Sequence, residues 1–277
     1  MTTPKPGAKE RLDVLLVDKG HFDSREKAKA AIMAGLVLVD NERVDKAGTK
    51  VKIEAAIIVK GDLHPYVSRG GLKLEKALKE FDVTLDDKVV VDIGASTGGF
   101  TDCALQNGAK QVYSVDVGYG QLAWTLRNDP RVVVMERTNF RHLKREDLKG
   151  ETPQVAVMDV SFISIRLLLP VIHSILTEDG QLLTLIKPQF EAGRERVGKN
   201  GIVRDPEVHR DVLQHVLGTA VAQGWQVQKV TFSPITGGHG NIEFLAHLTK
   251  QGAGLAPEAL QAAIDGIIAE SHKTLEK

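Results

Sequence analysis

Beyond residue 88 the chain alternates short apolar runs with longer stretches whose apolar residues recur at helical spacing. The runs predict strands at 89–93, 111–116, 131–136, 154–159, 181–186, 226–232 and 242–249. The spaced stretches predict helices at 99–107, 119–128, 163–177 and 205–223. Such alternation builds an α/β fold, a mostly parallel sheet with helices on both faces. The connection from Ser233 to Asn241 is too short for a crossover helix, so the final strand is expected to run antiparallel. Residues 257–277 predict a terminal helix with Leu260, Ile264, Ile267 and Ile268 apolar.

Residues 11–60 carry a different pattern. Leu12, Leu15 and Leu16 predict one helix between Arg11 and Gly20. A second runs through Lys27 to Met33, with Asp23 as N-cap, Glu26 three residues on, and Gly35 as its end. Leu36 to Val39 predicts a strand, Asp40 to Arg43 a turn, and Val51 to Val59 another strand. This is a small α+β unit. Residues 1–10 read as a disordered tail and 61–71 as a breaker-rich joint, with His64-Pro65 and Ser68-Arg69-Gly70-Gly71. Leu72 to Phe81 predicts a helix that opens the large domain, 72–250, and 251–277 is a C-terminal extension.

Composition changes this picture little. The 277 residues are 26% charged with zero net charge, so any nucleic-acid site must be local. The local candidates are Arg11 and the cluster Arg25, Lys27 and Lys29, which forms either a solvated helix face or a phosphate-contacting one. A single cysteine, Cys103, excludes a disulfide framework and a cysteine-rich metal site, and fits a reducing cytoplasm. No metal is expected. No apolar run approaches the length of a membrane span, and Met1 to Gly7 lacks the hydrophobic core of a signal peptide.

The chemistry gathers on Val89 to Leu105, VVVDIGASTGGFTDCAL. An apolar strand, a glycine turn and a helix start make the ligand-binding corner of a doubly wound sheet. Asp92, Gly94, Ala95, Ser96, Thr97, Gly98, Gly99 and Phe100 are its candidate ligand contacts. The turn reads G-x-x-x-G-G rather than the dinucleotide G-x-G-x-x-G, and it has no P-loop lysine. Asp116 ends the next strand, where a carboxylate accepts from both hydroxyls of a ribose. A ribose without a pyrophosphate points to S-adenosylmethionine. Asn139, after the third strand, either bonds an adenine edge or shapes a turn. Seven strands with the last reversed is the arrangement of Rossmann-like class I methyltransferases.

The acceptor is read from the other strand ends. Asp159-Val160-Ser161-Phe162 lacks the Asn/Asp-Pro-Pro-aromatic pattern of base-amine methylation, and Cys103 is misplaced as a nucleophile for base C5 methylation. A hydroxyl acceptor needs a base and charges to hold the developing alkoxide. Asp159 ends the fourth strand, Lys187 ends the fifth, and Glu243 begins the reversed last strand, all at one sheet edge. Lys73 opens the preceding helix. A free lysine has a pKa of about 10.4, so Lys187 either takes the hydroxyl proton or, kept charged, steadies the alkoxide. Gln189 to Arg204, with Arg194, Arg196, Lys199 and Arg204, is either a surface loop or a basic loop closing on RNA. Arg69 in the joint is a further candidate for the cofactor or RNA.

Three resemblances sharpen these readings. Arg11-Leu12-Asp13, Ser24-Arg25-Glu26-Lys27-Ala28, Ile32, Gly35-Leu36-Val37-Leu38-Val39-Asp40 and Val44 resemble the S-four-type RNA-binding domain. The segment departs from that pattern in having Asp40-Asn41 where Asn-Gly is usual. Lys73, Asp159, Lys187 and Glu243 resemble the Lys-Asp-Lys-Glu tetrad of the FtsJ-like ribose 2′-O-methyltransferases. The two domains in this order resemble the TlyA family, often labelled hemolysin A. Ser68 to Leu74, Asp92 to Asp102, Asp159 to Ser164 and Lys187 to Glu191 match it as well. The resemblance implies S-adenosylmethionine-dependent methylation of cytidine 2′-hydroxyls in the ribosomal RNA of ribosomal subunits. The competing readings are a membrane-active hemolysin, a non-catalytic RNA-binding protein with a relict pocket, and a small-molecule O-methyltransferase.

Overall fold

The structure, a computed structural model, describes residues 8–22, 24–33, 35–60 and 64–275. It divides into two compact units, Met1–Pro65 and Tyr66–Lys277. In the first, β1 (Lys9–Arg11) leads into α1 (Leu12–Asp18), followed by α2 (Arg25–Met33). Four short strands follow: β2 (Val37–Val39), β3 (Glu42–Arg43), β4 (Lys50–Lys52) and β5 (Ile57–Val59). β1 pairs antiparallel with β4, and β2 is the centre of a second antiparallel sheet between β3 and β5. Leu12, Leu15 and Leu16 pack on Ala28, Ala31, Ile32 and Val37.

Several expectations need correction. Lys9 and Glu10 are strand, not tail, because they complete the ladder of β4; residues 1–7 lie outside the described residues. Val51 to Val59 is two strands in two sheets, separated by a turn in which Ala55 N donates to Lys52 O. The expected cap Asp23 lies outside the described residues; Ser24 Oγ accepts from Lys27 N at the start of α2. Asp40 and Asn41 both take left-handed backbone (φ 49° and 67°), which suits a tight hairpin and which Asp and Asn tolerate.

Asp13 is the organising charge of this unit. Its side chain is fully buried and pairs with Arg11 Nε (2.9 Å) and Arg25 Nη2 (2.8 Å), both half-exposed. Hydrogen bonding from Arg11, with Arg25 behind it, holds the Asp13 carboxyl well below the usual carboxylate range.

In the second unit, α3 (Gly70–Phe81) precedes β6 (Val89–Ile93), α4 (Gly99–Gln106) and β7 (Gln111–Val115). Next come α5 (Trp124–Arg127), β8 (Val132–Met135), β9 (Val155–Met158), α6 (Leu169–Ile175) and β10 (Gln181–Ile186). The unit ends with α7 (Pro188–Glu191), α8 (Pro206–Ala222), β11 (Gln226–Phe232), β12 (Phe244–Thr249) and α9 (Pro257–Leu275). The strand order is β11-β12-β10-β9-β6-β7-β8, with β12 antiparallel to both its neighbours and the pairs from β10 to β8 parallel. This is the expected seven-stranded sheet.

β6 is buried on both faces, and its side chains alternate between two cores. Val89, Val91 and Ile93 face a core built with α6, α8 and α9; Val90 faces one built with α3 and α4. The joint ends earlier than its sequence predicts. Tyr66 is buried in the second core, Val67 N donates to Asp102 Oδ2 (2.8 Å), and Gly70 and Gly71 already belong to α3. The helix expected at 119–128 is only α5, and the one at 163–177 is a 3-10 turn, Ile165–Leu167, followed by α6. Glu243 stands just before β12 rather than in it. Among the described residues no helix is long and apolar enough to cross a membrane.

Asp13→Ala is expected to cost the first unit roughly 1–3 kcal/mol, read as faster hydrogen exchange of amides in α1 and α2. Because the folded pKa is depressed, this stabilisation is present above the unfolded value near pH 3.9 and is lost as pH falls below it. Unchanged exchange rates at pH 7 would count against the buried ion pair.

Candidate active site

The carboxyl ends of β6, β7, β9 and β10 share one edge of the sheet. Chain order reverses at β6, whose neighbours are β7 and β9, so the crevice outside these ends is the usual ligand site. Ile93 pairs with Met158 and Val115, which sets Gly94 between Asp159 and Asp116. Gly94 has φ +83°, and a Cβ there would lie 2.5 Å from Asp159 O. Only glycine fits so close an approach.

Two adjoining cavities open here, of about 380 and 340 Å³, and share Gly94, Ser96, Asp159 and Ser161 in their walls. The smaller is mainly apolar, with Ile93, Val117, Phe140, Ile163 and Leu168 beside Asp116 and Asn139. Asp116 Oδ2 accepts from Ser96 N and Oδ1 from Gly118 N, both at 2.7 Å. These bonds fix the carboxylate, and each oxygen keeps a lone pair for a ribose hydroxyl. Apolar walls for a purine and a fixed acid for a diol fit S-adenosylmethionine. Asn139 lines this cavity while its side-chain oxygen caps a 3-10 turn by accepting from Arg141 N (3.1 Å).

The larger cavity holds the four charged candidates. Its walls include Arg69, Lys73, Ala95, Thr97, Gly99, Phe100, Asp159, Lys187 and Glu243. Ile186 pairs with Phe244, so Lys187 and Glu243 are the next residues outward on adjacent strands. Lys73 Nζ lies 2.6 Å from Glu243 Oε2 and 3.5 Å from Asp159 Oδ2. Lys187 Nζ lies 2.5 Å from Asp159 Oδ1 and donates to Ser161 Oγ (3.1 Å). The four groups form one chain, Glu243–Lys73–Asp159–Lys187. Lys73, Lys187 and Glu243 are buried, so each charge depends on its partners. Burial opposes the charge on Lys73, but Asp159 and Glu243 outweigh it and keep its pKa above the ordinary lysine value.

Some candidates lie elsewhere. Asp92 and Gly98 line neither cavity. Strand alternation turns Asp92 towards α4, where it is fully buried and accepts from Thr101 Oγ1 (2.6 Å). Burial pushes its pKa up to about 7. Gly98, at φ +102°, packs against Leu126, which a Cβ would meet at 2.3 Å. Arg196 pairs with Asp211 (2.7 Å) and lines a separate groove that shares no residue with the two cavities; Arg194 opens the same 3-10 turn, and neither lines them. Arg11, Arg25, Lys27 and Lys29 belong to the first unit.

Other residues at the site were not singled out by sequence. Ser161 reaches Lys187, Gln189 Nε2 reaches Glu243 Oε1 (3.5 Å), and Thr236, Gly237 and Gly238 complete the wall beside Glu243. Phe162 is 90% exposed at φ +64°, with its ring 5.1 Å from that of Phe190. The serine and phenylalanine stand in the same Asp159-Val160-Ser161-Phe162 stretch that carries the acid.

A Rossmann-like sheet with a mainly apolar, acid-bearing cavity at its switch point and a charged cluster beside it defines a class I methyltransferase. Residues 66–250 match the model of the FtsJ-like methyltransferases, residues 10–57 match that of the S4 domain, and the chain belongs to the FtsJ-like family with an S4 domain before it. A relative from Bacillus subtilis (strain 168), YqxC, provisionally described as an rRNA methyltransferase, is 58% identical, covering 97% of this chain and 96% of its own. The 16S/23S rRNA (cytidine-2′-O)-methyltransferase TlyA of Mycobacterium tuberculosis is 41% identical, covering 94% and 97%. A solved structure from Streptococcus thermophilus, provisionally described as a hemolysin, is 50% identical with a TM-score of 0.77, covering 98% of both chains.

Gly94→Ala is expected to weaken S-adenosylmethionine binding at least about tenfold, since strain and the clash with Asp159 both oppose it. Calorimetry with the full-length protein measures this; unchanged affinity would contradict the placement of the cofactor at this turn.

Proposed function

We propose that this protein transfers a methyl group from S-adenosylmethionine to the ribose 2′-hydroxyl of a cytidine in ribosomal RNA, acting on ribosomal subunits. The observation that carries the reading is the chain Glu243–Lys73–Asp159–Lys187, set where two cavities meet at Gly94, Ser96, Asp159 and Ser161. The S4 domain supports an RNA substrate, and the Mycobacterium tuberculosis relative supports a cytidine. A cytoplasmic location follows from a ribosomal substrate and fits the single, buried cysteine.

Asp116, Asn139, Gly94 and Ser96 would hold S-adenosylmethionine in the smaller cavity, where it would supply an electrophilic methyl group on a sulfonium. The protein's own work lies at the hydroxyl. As the new C–O bond forms, the oxygen must lose its proton, and Lys187 in its amine form receives it. Asp159 holds the Lys187 amine in place, and Ser161 Oγ accepts a second hydrogen bond from it. Lys73 stays charged between the two carboxylates and offsets one of their charges; the proton that Lys187 takes up offsets the other. Glu243, gripped by Lys73 and Gln189, is left to steer the ribose. The exposed ring of Phe162, backed by Phe190, offers a flat surface for the acceptor base.

RNA contacts are assigned to the first unit and to the rim of the larger cavity. Arg11 and Arg25 are fixed by Asp13 with their guanidinium groups half exposed, Lys27 is exposed beside them and Lys29 is half-buried. Within the second unit, Arg69, exposed at the start of α3, lines the larger cavity, and Arg194 and Arg196 are exposed on a separate loop. These contacts are expected to go mainly to phosphates and to fix register rather than to read bases.

Lys187→Ala is expected to slow methyl transfer by at least about 10²-fold while S-adenosylmethionine affinity stays within about twofold. The assay is transfer of labelled methyl from S-adenosylmethionine to ribosomal subunits, with mapping of the modified nucleotide. Turnover near the parent rate in the variant would remove Lys187 from the reaction, and label on a base would refute the 2′-O assignment.

A further inference from the structure

The two loops that carry the charged chain are joined by a side chain outside it. Glu191 is the last residue of α7, the single helical turn that follows Lys187. Its side chain is 2% exposed and takes three donors from the loop after β9: Ser164 Oγ at 2.6 Å, Ile165 N at 2.7 Å and Arg166 Nε at 3.3 Å. Arg166 is itself braced by His215 of α8. A carboxylate taken out of water is expensive, and three charge-assisted or backbone donors are what make this burial tolerable.

The geometry points to Glu191 as a positioning residue for methyl transfer. The loop after β9 carries Asp159 and Ser161; the turn after β10 carries Lys187 and Gln189. Beyond their strands, two side-chain connections bridge these segments near the reacting groups: the Lys187 contacts with Asp159 and Ser161, and the ring contact of Phe190 with Phe162. Phe162 sits at φ +64°, a conformation that costs energy and is kept only where neighbours enforce it. Glu191 supplies that enforcement from behind. By capping the turn at Ile165 it fixes the return of the β9 loop, and through α7 it fixes where Lys187 leaves β10. It touches neither cavity, so it acts only through the residues it holds.

This inference rests on the roles proposed for Lys187 and Asp159. A misplacement of about 1 Å at reacting groups costs about 10²-fold in rate, with little effect on ligands held elsewhere. Single-turnover methylation of ribosomal RNA is therefore measured for the parent, Glu191→Ala and Glu191→Gln, together with S-adenosylmethionine and RNA affinity and thermal midpoint. The expected result for Glu191→Ala is a loss of about 10²-fold in the single-turnover rate, with both affinities within about twofold and a folded protein. Glu191→Gln keeps the shape, can accept from Ile165 N and donate to Ser164 Oγ, and is expected to recover most of the rate. A Glu191→Ala rate within about threefold of the parent would overturn the proposal. So would a rate loss matched by equal losses of cofactor affinity and thermal stability in both variants, which would mark a merely structural residue. A parent that methylates no ribose would instead refute the underlying reading of Lys187 and Asp159.

Discussion

The site depends on one constraint: two lysines and two carboxylates are kept from water at a single sheet edge, so none can move without stranding another. Lys73, Lys187 and Glu243 are buried, and Asp159 serves both lysines. Removing one member of such a group leaves an uncompensated buried charge, which costs far more than the pairing contributes. The antiparallel insertion of β12 beside β10 is what allows this arrangement. It brings Glu243 level with Lys187 although 55 residues separate them in sequence. A parallel seventh strand would have put that acid at the far end of the sheet.

The same edge divides labour between neighbouring strands. Gly94 and Asp116, at the ends of β6 and β7, line the apolar cavity proposed for adenosine; Asp159 and Lys187, at the ends of β9 and β10, line the cavity proposed for the acceptor. Asp159 borders both cavities, so in the proposed reaction the group that holds Lys187 stands where the methyl crosses. The proposed cofactor and acceptor sites are thereby set by adjacent strand registers.

Much of this was legible in the sequence, for reasons that also explain the failures. Parallel strands buried on both faces must be continuous apolar runs, and Val89 to Ile93 and Gln181 to Ile186 were recognised residue for residue. The helix expected at 119–128 rested on apolar residues in a segment whose Tyr119 and Trp124 are in fact exposed, and Gly120 at φ +71° breaks it before α5. Asp92 and Gly98 were grouped with the ligand contacts because a motif does not reveal facing. Period-two alternation along β6 sends Asp92 to α4 instead. Glu191 and Ser161 stood in stretches that match the family, but no role could be read for them, since their partners Ser164 and Lys187 meet them only after β9 and β10 pair.

The account stands on the acceptor being a ribose hydroxyl whose proton Lys187 takes. The most direct measurement is methyl transfer to ribosomal RNA carrying a single 2′-deoxy substitution at the modified nucleotide, with binding followed in parallel. The account predicts that the RNA still binds and accepts no methyl at that position. Methylation of the deoxy nucleotide at its usual position would contradict it.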